Sequence, residues 1–218
     1  PRIKAITLDL DDTLWPVWPT IARAEDVLQA WLTAHAPATA KLCVQPDVKR
    51  VIRTEVNQRH PDKAHDLSFL RREAIRESLL RAGDAPHLAE AAFEVFFAER
   101  QNVTLYDGVA SALARLAARY PLVSVSNGNA DVFRTEAAPY FKAAVSARVV
   151  GVAKPDPRIF HVAADQLNLP AESVLHLGDD ATTDVLGALH AGMQTTWINT
   201  QGHDWPHVSP QPLTVNHL

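Results

Sequence analysis

The chain has 218 residues, of which 47% are hydrophobic and 21% charged, an ordinary globular composition that suits one large domain or one domain with an insert. The net charge of -4 gives no basic footprint for nucleic acid, and no apolar run is long enough to span a membrane, so we expect neither partner. Cys43 is the only cysteine, which excludes an intrachain disulfide, and the start has no secretory pattern, so we expect a cytoplasmic protein.

The first element is an apolar stretch rich in β-branched residues, residues 3–8, which predicts a buried strand. It runs directly into the carboxylates Asp9, Asp11 and Asp12. Because side chains alternate along a strand, Asp9 and Asp11 are expected to point the same way. The pattern alone also fits a solvated acidic turn.

A helical stretch follows. Two prolines within residues 15–19 predict a turn and not a helix. From Thr20 onward, apolar residues recur at helical spacing, and Pro37 and Pro46 are expected to break the chain. Further helices are predicted over residues 47–58, in the stretch that ends at Gly83, and over residues 86–100.

This helical block has strand-bearing sequence on both sides. We therefore predict two domains: residues 1–15 with 104–218 as one, and residues 16–103 as an inserted, all-helical one. The second part of the larger domain alternates strands and helices, which predicts an α/β fold with a doubly wound parallel sheet.

The predicted strands of that second part cover residues 121–125, 145–150, 173–177 and 194–198. Helices are expected between them. Asp107 is predicted to cap one, Phe133, Ala137 and Phe141 to face inwards from another, and Asp156 to cap a third at Pro157. A last helix is predicted from Thr183 or Asp184 to Gly192.

Polar side chains lie just after the predicted strands. They are Asp9 with Asp11, Ser126 with Asn127, Lys154, and Asp179 with Asp180 and Asp184. Open parallel sheets bind ligands beyond the carboxyl ends of their strands, so we expect these groups to meet. Taken separately, the Ser126 stretch also fits a turn, Lys154 a surface lysine and the aspartates an acidic loop.

Two of these groups have a chemical logic of their own. Lys154 precedes a predicted helix start, where the helix dipole and free amides favour an anion. A buried group of carboxylates needs a cation, and oxygen ligands without clustered Cys or His favour a hard divalent ion, Mg²⁺.

In order and strand context, these groups resemble the four motifs of the haloacid dehalogenase superfamily, most of whose members are phosphatases. The matching residues are Asp9, Asp11 and Thr13, then Ser126, then Lys154, and finally Gly178, Asp179, Asp180 and Asp184. The resemblance implies a Rossmann-like core, with residues 16–103 as the helical cap domain of that family. It also implies an enzyme that acts on a small-molecule phosphate monoester, as a monomer or a homodimer.

The resemblance implies a two-step reaction. Asp9 attacks phosphorus to form an aspartyl phosphate, while Asp11 protonates the leaving alcohol and later activates water. Mg²⁺ is held by Asp9, by Asp179 and by the backbone carbonyl of Asp11.

The remaining matched residues are implied to bind phosphate or to support the site. Ser126, Asn127 and Lys154 are expected to hold phosphate oxygens. Asp180, Asp184 and Thr13 are expected to orient the residues that contact metal or phosphate, and the resemblance does not decide which part of this role belongs to Asp180 and which to Asp184.

Two short stretches indicate a substrate class. Residues 126–130 and 177–185 resemble bacterial phosphatases of flavin mononucleotide and related flavin-pathway phosphates. Trp15 and Trp18 follow the first motif closely and are expected either to form an aromatic wall for a flat ring or to pack as structural residues.

Three other functions stay open. A 2-haloacid dehalogenase of the same superfamily would need neither Mg²⁺ nor an acid at Asp11, and a phosphomutase would keep all four motifs. A non-catalytic binding protein on this fold is the third alternative, against which the intact motifs argue.

Overall fold

The computed structural model describes residues 2–218, and the chain divides into two compact units. One, the core unit, combines the residues up to Val17 with Val103–Leu218. The other, the helical unit, is Trp18–Asn102. Among the residues described, no helix has both the length and the apolar character needed to cross a bilayer.

The core unit is built on a parallel sheet. Among the described residues its strands are β1 Ala5–Leu8, β2 Leu122–Ser126, β3 Ala143–Ser146, β4 Val174–Gly178, β5 Gln194–Ile198 and β6 Leu213–Val215. Their order is β3-β2-β1-β4-β5-β6, with every pairing parallel. This confirms the doubly wound α/β fold, and β1 lies inside the sheet, where Leu8 pairs with Ser124 on one side and Leu177 on the other.

The helices follow in chain order. The helical unit contains α1, which begins in the core unit, Val17–His35, with α2 Pro37–Cys43, α3 Pro46–Arg59, α4 Leu67–Ala82 and α5 Ala89–Arg100. The core unit contains α6 Val109–Ala117, α7 Ala147–Val150, α8 Pro157–Gln166 and α9 Gly187–His190.

The alternation of strand side chains produces two hydrophobic layers in the core unit. Leu8 and Leu122 pack with Leu113 of α6 in one cluster. Val123, the next residue of β2, packs with Phe160 of α8 in the other. Both layers are buried, which explains why these strands carry apolar residues on both of their faces.

Prolines account for two differences from the predicted helices. α1 begins at Val17 and not at Thr20, so Pro19 lies in its first turn, where a missing N–H costs no hydrogen bond. The Val17 N–H instead donates to Asp12 Oδ1 at 2.9 Å. The break expected at Pro37 is present, because α1 ends at His35, but Pro37 also starts α2, which was not predicted, for the same reason.

The segment after β2 is not the predicted helix. It forms two 3₁₀ turns, Val132–Arg134 and Ala138–Tyr140, because Pro139 cannot continue a helical hydrogen-bond ladder. Ala137 and Phe141 are buried as predicted, whereas Phe133 is half exposed and the prediction for it was wrong.

Strand and cap assignments also needed correction. The strand predicted at 145–150 is β3 at Ala143–Ser146, and the valines beyond it lie in α7, which shows how weakly β-propensity decides without its surroundings. Gly108, with a φ of 84°, occupies the N-cap of α6 in place of Asp107. Asp156 caps α8 as predicted. β6 was not predicted.

Candidate active site

The topology brings the first and last motifs to one edge of the sheet. Asp9 follows β1 and Asp179 follows the neighbouring strand β4, and the Asp9 N–H donates to the carbonyl of Leu177 at 2.9 Å. Lys154 enters from the loop before α8. Carboxylates distant in sequence therefore converge because parallel strands end at the same edge.

Lys154 is the buried cation of this site. Its side chain is 3% exposed, and Nζ lies 2.5 Å from both Asp9 Oδ1 and Asp184 Oδ1. Burial alone would lower the pKa of Lys154, but the charges of Asp184 and Asp9 outweigh it and raise that pKa. Lys154 therefore stays charged between its two carboxylates.

The pKa values of the two carboxylates that contact Lys154 shift in opposite directions. Burial raises the pKa of Asp9, and although Lys154 counteracts it, Asp184 and Asp179 add like charge, so the pKa is well above its usual value. Burial also acts on Asp184, but Lys154 and His176 outweigh it and hold its pKa well below the usual range. Asp184 thus favours its ionised form beside Lys154.

Thr13 links the first and fourth motifs. Its hydroxyl is within 3.3 Å of Asp9 Oδ2 and 3.0 Å of Asp179 Oδ1. Burial, followed by the charge of Asp184, raises the pKa of Asp179 to about 7. Asp9 and Asp179 are therefore held side by side, and each ionises with difficulty unless further positive charge is present.

The donor set fits a hard divalent cation. One carboxylate oxygen each from Asp9, Asp179 and Asp184 lies within 4.8 Å of the others. Asp9 and Asp184 contact the single ammonium group of Lys154, so ionisation of all three carboxylates would leave an excess of negative charge in this site. All the donors are oxygen atoms, which suit Mg²⁺ better than Zn²⁺. This set contains Asp184 and lacks the Asp11 side chain.

His176 is a buried residue of β4 that contacts the site directly. It is 1% exposed on β4, with Nε2 at 3.3 Å from Asp184 Oδ1 and Nδ1 at 2.9 Å from Thr7 Oγ1. Burial lowers the pKa of His176, which favours the neutral ring with its N–H directed at Asp184. Gly178 completes this packing, because a Cβ there would lie 2.3 Å from Asp184 Cγ.

Asp11 is held by Trp15. The Trp15 indole N–H donates to Asp11 Oδ1 at 2.8 Å, and Asp12 turns the chain between them with a φ of 59°. Trp15 is completely buried in the core unit. The expectation that Trp15 forms an aromatic wall for substrate is therefore corrected, because its ring has no exposed face.

The second motif is tied to the Lys154 loop. The Asn127 carboxamide accepts from the Lys154 N–H at 2.7 Å and donates to the Lys154 carbonyl at 3.0 Å. These two bonds make the Asn127 side chain a support for the Lys154 backbone, and the phosphate contact expected at Asn127 stays a prediction. Ser126, 3% exposed at the end of β2, accepts from the Gly128 N–H at 2.9 Å, so this stretch is also a turn.

Asp180 and Asp184 have separate positions. The Asp180 carboxylate caps the helical segment Ala181–Leu186 by accepting from the N–H groups of Thr182 and Thr183 at 2.8 and 2.6 Å. This helix therefore begins before the predicted Thr183 or Asp184. Only Asp184 contacts Lys154 among these two residues.

Comparison with known proteins agrees with this arrangement. Residues 3–192 match the haloacid dehalogenase-like hydrolase family. The chain belongs to this family. It is 35% identical over 207 residues to the 5-amino-6-(5-phospho-D-ribitylamino)uracil phosphatase YigB of Escherichia coli (strain K12), covering 93% of this chain and 86% of that protein.

Two further relatives bear different names. A phosphoserine phosphatase of Thermus thermophilus is 33% identical over 135 residues, which is 59% of this chain and 54% of that protein. The crystal structure of a 2-haloacid dehalogenase from Pseudomonas syringae pv. Tomato DC3000 superposes with a TM-score of 0.92 at 35% identity, covering 99% of this chain and 94% of that one. The relatives named here therefore include both phosphatases and a dehalogenase.

Trp18, the other predicted aromatic wall residue, belongs to the helical unit. Its side chain is 75% exposed on α1. An exposed indole can stack on a planar ligand, so this half of the sequence-based hypothesis stays a prediction.

Proposed function

We propose that this hydrolase is a Mg²⁺-dependent phosphatase that cleaves a phosphate monoester through an aspartyl phosphate on Asp9. The observation that carries the proposal is the cluster in which carboxylate oxygens of Asp9, Asp179 and Asp184 converge, with the Lys154 ammonium group against Asp9 and Asp184. Asp11 follows two residues after the nucleophile, with its carboxylate oriented by Trp15.

The chain's own residues supply most of the chemistry. Asp9 attacks phosphorus, and the bond from phosphorus to the leaving oxygen breaks as the new phosphorus–oxygen bond forms. Asp11 gives its proton to the leaving alcohol, then takes one from the water that hydrolyses the aspartyl phosphate. Lys154 orients Asp9 and offers positive charge to the transferring phosphoryl oxygens.

Mg²⁺ would be held by Asp9 and Asp179, with Asp184 beside them. The family resemblance implies the Asp11 backbone carbonyl as a further ligand. When bound, it offsets the repulsion between an anionic nucleophile and an anionic phosphate. The raised pKa values of Asp9 and Asp179 support this assignment, because both mark a site that lacks positive charge.

For the substrate, we propose a flavin-pathway phosphate with a planar heterocycle, such as flavin mononucleotide or the phosphoribitylaminouracil that names the Escherichia coli relative. The support is 35% identity across 93% of this chain. The exposed Trp18 offers a stacking surface for such a ring.

The test is phosphate release from a panel of phosphorylated metabolites with Mg²⁺. Planar heteroaromatic phosphates should give a higher kcat/KM than small aliphatic ones such as phosphoglycolate. Asp9→Asn should abolish turnover, whereas Asp47→Asn, at an exposed carboxylate of α3, should leave it unchanged. More than a few per cent of wild-type turnover in Asp9→Asn would refute the covalent mechanism.

A 2-haloacid dehalogenase is the second candidate, favoured by the name and the 35% identity of the Pseudomonas syringae structure. That reaction would also form an ester on Asp9, but with loss of halide and no need for Mg²⁺. Incubation with 2-chloropropionate in EDTA separates the two functions. Chloride release there, without phosphate release in the panel, would replace the proposed function by this one.

A further inference from the structure

A buried tryptophan contacts the backbone at the fourth motif. Trp197 of β5 is 2% exposed and pairs in register with Gly178, the last residue of β4. Its indole Nε1–H donates to the backbone carbonyl of Asp179 at 2.7 Å. No motif of the sequence pointed to this contact.

The position of this bond matters because the chain changes direction there. Asp179 leaves the strand, its carboxylate receives the Thr13 hydroxyl, and Asp180 caps the following helical segment. A hydrogen bond to the Asp179 carbonyl restricts the peptide between Asp179 and Asp180. It thereby restricts the direction in which the Asp179 carboxylate projects.

The C-terminal segment, residues 199–209, packs against the same tryptophan. The ring of Trp205 lies edge-on to Trp197, with centroids 5.4 Å apart, and packs in a cluster with Ala181 and Val185. His207, 5.0 Å from the Trp205 ring, is within hydrogen-bond distance of the Thr182 hydroxyl at 3.1 Å. The segment therefore contacts both Trp197 and the helical segment that begins beside Asp179.

This segment is itself fixed by local hydrogen bonds. The Asn199 carboxamide exchanges two bonds with the backbone of His203, at 2.8 and 2.9 Å. The Trp205 indole N–H donates to the carbonyl of Ser209 at 2.7 Å. The two indole N–H groups thus have different partners. Trp197 donates to the Asp179 carbonyl at the site, whereas Trp205 donates within its own loop.

We propose that Trp197 is a positioning residue for Mg²⁺ binding, which sets the orientation of Asp179 through its indole N–H. The proposal rests on the proposed function, since it assumes that Asp179 is a metal ligand. A residue that only fills space would affect stability but not metal affinity.

Trp197→Phe tests this, because it keeps an aromatic ring and removes the N–H. Its matched control is Trp205→Phe, which removes an N–H that does not contact Asp179. Titration calorimetry with MgCl₂ on the full chain should show a dissociation constant about fivefold higher for Trp197→Phe, the usual effect of one hydrogen bond. Trp205→Phe should change it less than twofold.

The outcomes separate the two proposals. If the wild type binds Mg²⁺ and the folded Trp197→Phe variant binds it equally well, the positioning role is wrong and the proposed function stands. If the wild type does not bind Mg²⁺ at all, both are wrong. Equal weakening in the two variants would also overturn the proposal, since it would indicate general loosening of the loop.

A second measurement uses the unmutated protein, in case Trp197→Phe does not fold. In the assigned ¹H–¹⁵N spectrum, the Trp197 indole N–H resonance should shift on Mg²⁺ addition and its hydrogen exchange should slow. A resonance that stays in place at saturating Mg²⁺ would refute the coupling between Trp197 and Asp179.

Discussion

Replacing Lys154 by methionine tests the electrostatic reading of the site. The change keeps the length and apolar stem of the side chain but removes the charge, which leaves Asp9 and Asp184 buried without their ammonium partner. Both lie 2.5 Å from Nζ, and their side chains are 10% and 2% exposed. Removing one partner of such a buried pair costs about 3–5 kcal/mol.

For a protein of this size, that loss corresponds to a melting temperature lower by roughly 6–20 °C, at about 2–4 °C per kcal/mol. Scanning calorimetry in EDTA avoids any contribution from metal. Lys142→Met, at an exposed lysine just before β3, is the control and should shift the transition by less than about 2 °C.

The stability difference between Lys154→Met and wild type should also depend on pH. Without Lys154, the folded-state pKa values of both aspartates rise relative to wild type, so above the ordinary aspartate pKa the folded variant binds more protons than the folded wild type. Its deficit relative to wild type should therefore grow as the pH rises. Lys154→Met should also lower kcat by about 10²–10³-fold. A stability loss no larger than that of Lys142→Met, flat with pH, would show that Lys154 is not the charge partner of this site.

The remaining predictions concern catalysis, metal and stability. Asp11→Asn should lose far more activity on alkyl phosphates than on aryl phosphates, whose leaving groups need little protonation; equal losses would remove Asp11 as the acid. EDTA should abolish phosphatase activity, Mg²⁺ should restore it and Zn²⁺ should do so poorly, as measured by phosphate release; activity that survives chelation would contradict a metal site. Trp18→Ala should raise KM for planar phosphates and spare aliphatic ones, and a uniform loss would make Trp18 a packing residue. Burial alone would raise the pKa of Glu25, but the positive charges of Arg71, Lys49 and Arg53 outweigh burial and lower this pKa to about 2. The lowered pKa contributes up to about 3 kcal/mol to folding stability above pH 4.5, and this contribution is lost as the pH falls towards 2. Glu25→Gln should therefore flatten the acid-denaturation curve in this range. An unchanged curve would show that the ion pairs contribute nothing.

The fold was accessible to sequence reasoning because its signals are local. The strands β1, β2, β4 and β5, the N-cap at Asp156 and the αL glycine at Gly83 each depend on a few neighbouring residues, and they lie at or within two residues of their predicted positions. Predictions made on propensity alone were weaker. Residues 149–150 lie in a helix and not in the predicted strand, and Pro19 lies inside the first turn of α1 and not in the predicted turn.

Among the site residues, the sequence identified the chemical types but not the partners. Asp9 and Lys154 are 145 positions apart, so their 2.5 Å contact depends on the strand order. Asp184 and not Asp180 contacts Lys154, because Asp180 is used as a helix cap. No spacing rule distinguishes these two aspartates.

The sequence by itself determined which groups could perform chemistry: carboxylates and a lysine after apolar strands, in the order of the family's motifs. Only the tertiary structure decided that Trp15 is buried against Asp11, that Asn127 holds the Lys154 backbone, and that Trp197 reaches Asp179. The physical reason is that strand, helix and cap preferences act over a few residues. A side chain's hydrogen-bond partner and its exposure are set by the packing of elements far apart in the chain.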